Sequence, residues 1–129
     1  MSALFTDKQA IYLQIAEYIG DKILTGEWKP EERIPSVREL AVAMEVNPNT
    51  VMRTFESLQN MEVIFNKRGL GYFVAPDAIN TIRTERRKKF MEQVLPDFFR
   101  QLSLLNISIS EIETLYNKYS TIKNKEDKI

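Results

Sequence analysis

Two helix starts, at Ser36 and at Asn47, follow each other so closely that only a short helix and a tight turn fit between them. Ser36-Val37-Arg38-Glu39 is a capping box, in which the Ser36 hydroxyl accepts from the Glu39 amide and the Glu39 carboxylate reaches back to the Ser36 amide. Asn47 caps the second start, and Pro48 takes the first helical position, where a missing N–H costs nothing. Val37, Leu40, Ala41 and Met44 form the apolar stripe of the first helix; Val51, Phe55 and Leu58 form that of the second. Glu45 and Val46 are left as the turn, and Asn49, Thr50 and Arg53 fall mainly on the side away from the core.

The flanks complete this pair. Upstream, Thr6-x-x-Gln9 marks a helix start. Ile11, Ile15, Ile19 and Ile23 then recur every four residues, flanked by Tyr12 and Tyr18, so a helix runs to about Leu24. Gly26 ends it, and Glu27–Pro35 is a turn-rich connector. Downstream of Met61 the period changes. Val63–Asn66 and Gly71–Ala75 are β-branched and aromatic runs separated by Lys67-Arg68-Gly69-Leu70, which predicts a β-hairpin closed by Pro76. Helix, short helix, turn, helix, hairpin is the order of a winged helix-turn-helix. The fold class is therefore α+β: a winged helix-turn-helix over residues 1–76, followed by a short all-α region over residues 77–129.

In that second region Ile79, Ile82, Phe90, Val94, Phe98 and Leu105 lie along one long helix, or along two broken near Pro96. The run Arg86-Arg87-Lys88-Lys89 sits in its middle and is expected to be a solvated helix face. Asn106 and Ile107 end it, and Ser108-x-x-Glu111 starts a final helix on which Ile109, Ile112, Tyr116 and Tyr119 follow a heptad-like spacing. The charged tail Lys123–Ile129 is expected to fray.

Composition narrows the chemistry. With 129 residues the chain has room for one ordinary domain or a small domain with an appendage. It contains no cysteine and no histidine, which removes disulfides, thiolate sites, the usual general base and the commonest metal ligand. No cofactor or metal is expected, and no Ser, Lys or carboxylate pair sits in a recognisable catalytic motif. There is no signal peptide and no apolar run long enough to span a bilayer, so a cytoplasmic protein with no membrane partner is expected. Charge is less helpful. Residues 1–76 carry eight Lys/Arg against ten Asp/Glu, a net of −2, and residues 77–129 carry ten against eight, a net of +2. Affinity for nucleic acid then has to come from where the cations stand rather than from their sum.

Their placement suits duplex DNA. A helix fits the major groove with its N-terminal residues against the base edges. The third helix presents Asn47, Asn49 and Thr50 there, an amide able to pair with adenine and a methyl able to touch that of thymine. Arg53, one turn on, can reach guanine or a phosphate. Ser36 and Arg38 start the short helix that would cross the backbone, and Lys67, Arg68 and Gly69 form a cationic hairpin tip. A protein-interaction module that uses the winged helix as scaffold is the alternative, favoured by the net acidity of residues 1–76.

Three stretches, Pro35-Ser36-Val37-Arg38-Glu39-Leu40-Ala41, Val46-Asn47-Pro48-Asn49-Thr50-Val51 and Arg68-Gly69-Leu70-Gly71-Tyr72-Phe73-Val74, resemble the N-terminal domain of GntR-family transcriptional regulators. The short helical remainder is similar to the YtrA-like subfamily of small dimeric regulators, often associated with transporter operons. The resemblance implies that Arg38, Asn49, Thr50 and Arg53 contact operator DNA and that Arg68 and Gly69 form the wing tip. It further implies a homodimer built on the C-terminal helices that reads a two-fold operator. A repressor is the leading expectation, with the sign of regulation and an unidentified small-molecule effector left open. One departure stands out. The family usually has Gly where this chain has Glu62, so either Asn60 takes over the left-handed helix stop or the helix ends differently.

Overall fold

The computed structural model describes Phe5 and residues 9–127; Thr6 lies outside them, and the first helix begins at Ile11 behind an Ala10 N-cap with no side-chain bond, later than the Thr6–Gln9 signal predicts. Helices α1 (Ile11–Leu24), α2 (Val37–Met44) and α3 (Pro48–Asn60) precede a hairpin of β1 (Ile64–Lys67) and β2 (Gly71–Val74). Then come α4 (Ala78–Lys89), a π-helical turn (Phe90–Val94), α5 (Leu95–Leu105) and α6 (Ile109–Asp127). The chain divides into two compact units, Met1–Arg86 and Arg87–Ile129.

In the first unit the predicted stripes meet. Ile15, Ile19 and Ile23 of α1, Leu40, Ala41 and Met44 of α2, and Val51, Phe55 and Leu58 of α3 are all buried in one core. The tie between α1 and α3 is also polar. Thr54, fully buried, donates its hydroxyl to the Tyr12 carbonyl at 2.7 Å and to the Thr50 carbonyl at 3.3 Å, so no polar atom is stranded there. Glu45 takes the left-handed conformation at φ 56° to make the turn between α2 and α3. Glu62 does the same at φ 63° after α3, whose helical residues run through Asn60. The stop is thus held by Glu62 itself, because the bond from Val63 N–H to Leu58 O (2.9 Å) needs the reversal at that residue.

The hairpin pairs Ile64 with Val74, Phe65 with Phe73, Asn66 with Tyr72 and Lys67 with Gly71. The first strand is displaced by one residue from its predicted limits, the second starts at Gly71 as predicted and ends one residue early, and the tip shortens to Arg68-Gly69-Leu70, closed by Leu70 N–H to Lys67 O at 2.8 Å. Alternation gives the sheet two faces. Ile64, Tyr72 and Val74 turn inward, with the Tyr72 ring edge-on to Phe55 at 4.7 Å. Phe65 and Phe73 stack at 5.8 Å on the other face.

The connector after α1 is more ordered than a turn-rich stretch. Glu31–Ile34 lies along the outer edge of β2, with bonds from Glu31 N–H to Val74 O (2.8 Å), Val74 N–H to Glu32 O (3.0 Å) and Ile34 N–H to Tyr72 O (2.9 Å). It satisfies backbone groups that a two-stranded ribbon would leave open on that edge.

Ala78 and Ile82 are buried in the same core, so the first unit runs past Pro76, where the sequence boundary was drawn, to Arg86. Arg86 is not part of a solvated face: it ion-pairs with Asp21 of α1 at 2.6 Å. In the second unit Pro96 cannot donate to a carbonyl four residues back, and its ring would crowd that carbonyl. The wider π turn absorbs the mismatch, with Leu95 N–H bonding Phe90 O, and two helices result. Asn106 ends α5 at φ 56°, and Ser108 and Glu111 form the predicted capping box at 2.9 and 3.1 Å. Helix α6 continues through the expected frayed segment to Asp127, and residues 128–129 lie outside the described residues. No helix among the described residues is long and apolar enough to cross a membrane.

Candidate nucleic-acid interface

Ser36 sits at the N-cap of α2, where the capping box forms: Glu39 N–H donates to Ser36 Oγ at 3.0 Å, and Ser36 N–H donates to Glu39 Oε1 at 3.3 Å. The backbone donor of Ser36, then its hydroxyl, then the charge of Arg33 hold the Glu39 carboxyl below its ordinary range. Arg38 is exposed on the first turn of α2 and makes no hydrogen bond or ion pair among the described residues.

At the start of α3, Asn47 Oδ1 accepts from Asn49 N–H at 2.8 Å, so one lone pair of the oxygen serves the cap while the NH₂ makes no bond among the described residues. Asn49 is exposed, and its own side chain has no bond among the described residues. Thr50 is half-buried beside it. Arg53, on the next turn, is exposed but not loose. Its guanidinium lies 3.8 Å from the centroid of the Tyr12 ring, and this stacking restricts where the head can go.

At the hairpin, Gly69 has φ 80°, a conformation that makes the tight tip available to glycine at little cost. Arg68 is exposed with no partner among the described residues. Lys67 is turned back over the outer aromatic face, its Nζ 4.6 Å from the Phe73 centroid and 5.6 Å from that of Phe65.

The nine predicted residues therefore fall into two groups. Ser36, Arg38, Asn47, Asn49, Thr50 and Arg53 occupy the N-caps and the first two turns of two helices in contact, while Lys67, Arg68 and Gly69 form a separate tip. No hydrogen bond or ion pair joins the groups among the described residues. Arg33, absent from the sequence-based set, lies between them: it bridges to Phe73, packs over Gly71 and has Nη2 3.9 Å from Glu39. Tyr12 was missed as well. Neither has a local sequence signal, since each acts on an element distant in the chain.

The family model described as "Bacterial regulatory proteins, gntR family" matches residues 11–74, the span from the start of α1 to the end of β2. The chain is 35% identical over 112 residues to the uncharacterized HTH-type transcriptional regulator YhcF of Bacillus subtilis, covering 87% of this chain and 91% of that protein. It is 34% identical over 84 residues to the HTH-type transcriptional repressor YtrA of the same organism, covering 65% of each. A crystal structure of a GntR-family transcriptional regulator from Bacteroides thetaiotaomicron superposes with TM-score 0.74 at 52% identity, over 88% of this chain and 99% of that one. Three helices, a two-stranded wing and these similarities make the chain a DNA-binding transcriptional regulator of the GntR family.

Proposed function

We propose that this regulator is a cytoplasmic repressor that binds a two-fold operator as a homodimer joined through its C-terminal helices. The observation that carries the reading is the division of α3. Val51, Thr54 and Phe55 are sealed in the core, while Asn49 stands at the exposed N-terminal turn with its amide uncommitted. In the major groove Asn49 would read a base edge and the Thr50 methyl would meet a thymine methyl. Arg53 would reach a guanine or a phosphate from its seat on Tyr12. Ser36, Arg38 and the Asn47 NH₂ would hold the backbone, with Lys67, Arg68 and Gly69 engaging the adjacent groove. Repression is supported by the similarity to YtrA, a protein named as a repressor.

The second unit favours self-association. Leu102 is buried there, but Phe99, Leu104, Leu105, Tyr116, Tyr119 and Ile122 are each about half exposed or more. Apolar surface on that scale marks an interaction site, and a second copy would supply the two-fold symmetry of the operator.

The test is a gel shift with the upstream region of the protein's own gene, using the wild type, Arg38→Ala and Asn49→Ala. Both variants should bind more weakly with unchanged circular dichroism, because both side chains are exposed. Unchanged affinity in both would remove the assigned face.

A further inference from the structure

Arg86 is the last residue of the first unit, and its side chain lies on α1. One terminal nitrogen is 2.6 Å from Asp21 Oδ1, and the other donates to the Glu17 carbonyl at 2.9 Å. The seat between them is Gly20, buried in the interior of α1. Glycine is unfavourable inside a helix relative to alanine. Here a Cβ would overlap the Arg86 guanidinium, so the bare backbone leaves the space the arginine occupies. A bond to a carbonyl, an ion pair and a matching vacancy in side-chain volume converge on one contact. Ala78 and Ile82, on the same helix, are buried below it.

α1 is in turn tied to the reading helix. Thr54 of α3 bonds the Tyr12 carbonyl, and Arg53 of α3 stacks on the Tyr12 ring. A short series of specific contacts therefore runs from Arg86 through α1 to the helix that carries Asn49. We propose that Arg86 is a positioning residue. Seated on Gly20, it fixes the direction of α4 against the reading domain and thereby sets which spacing between operator half-sites the dimer accepts. This rests on the two-fold operator proposed above. One added base pair moves a half-site by about 3.4 Å and turns it by about 35°, a change that a fixed helix resists and a loosened one tolerates.

The experiment selects DNA with the full-length protein from a library in which two half-sites are separated by a randomised number of base pairs. Arg86→Ala removes the contact. Gly20→Ala displaces the arginine while favouring the helix, so it separates loss of seating from loss of fold; thermal melting of both accompanies the selection. The wild type should choose a narrow spacing. Both variants should keep the same half-site sequence, while their preference for that spacing over its neighbours falls about threefold to tenfold, the range available to an exposed ion pair with a charge-assisted hydrogen bond. Arg86→Lys, which keeps the positive charge for Asp21 but lacks the second nitrogen that reaches the Glu17 carbonyl, should fall between. If the wild type selects paired half-sites and the two alanine variants select the same spacing as sharply, the role of Arg86 is overturned. If the wild type selects no paired sites, the operator reading fails first and this inference fails with it.

Discussion

Replacing Glu62 with glycine should stabilise the protein. Glu62 holds φ 63° after α3, a conformation that costs an L-residue roughly 1–2 kcal/mol. Glycine removes that cost but loses more backbone entropy on folding, roughly 0.5–1 kcal/mol, so a net gain of about 0.5–1 kcal/mol is expected. Little is lost in exchange. The Glu62 side chain is exposed and makes no hydrogen bond or ion pair among the described residues. The bonds that close the helix, Glu62 N–H to Gln59 O and Val63 N–H to Leu58 O, both at 2.9 Å, are backbone bonds that glycine keeps. Urea unfolding at one fixed protein concentration measures the difference without confusion from association. Asn60→Gly is the control: Asn60 is still helical, so glycine there should cost up to about 1 kcal/mol. A neutral or destabilising Glu62→Gly, or a stabilising Asn60→Gly, would show that the left-handed stop is elsewhere.

Thr54→Val should cost about 1 kcal/mol in the same assay, because the hydroxyl is lost while both acceptors remain helix carbonyls; a change near zero would mean the α1–α3 tie contributes nothing. The capping box should respond to acid. The folded Glu39 carboxyl is held below its ordinary value, so its contribution is present above the ordinary value and is lost as pH falls through the lowered one. An NMR titration should place the Glu39 midpoint below that of an ordinary glutamate and move it part of the way back up in Ser36→Ala, which loses the hydroxyl but keeps the backbone N–H; a Glu39 midpoint no lower than an ordinary glutamate's in the wild type would refute the box. Phe99→Glu puts a charge on the exposed apolar face of the second unit and should shift sedimentation from dimer to monomer, while an unchanged dimer would place the contact elsewhere.

Much of this was legible because it is local. The caps at Ser36, Asn47 and Ser108 and the isoleucine stripe of α1 are each written within a few residues, and each appears in the structure. The misses are long-range. The Glu31–Ile34 edge, the Arg33 bridge to the wing and the seat of Arg86 on Gly20 join residues far apart in the chain, and no periodicity encodes them. Glu62 is a different case. Its side chain gives no sign of a left-handed backbone, and the helix geometry imposes one all the same. Within the site, the sequence placed the side chains on their elements but did not reveal that Arg53 rests on Tyr12 or that Arg33 reaches Glu39 and the wing.

The central claim is that the N-terminal turn of α3 reads base edges in a two-fold operator. Binding sites selected from random duplex DNA by the wild type and by Asn49→Ala test it most directly. The wild type should yield an inverted repeat with half-site centres about one helical turn, or a multiple of it, apart, and Asn49→Ala should relax the preference at one symmetric position in each half-site while leaving the rest intact. A selected site without two-fold symmetry, or an unchanged base preference in Asn49→Ala, would contradict the account.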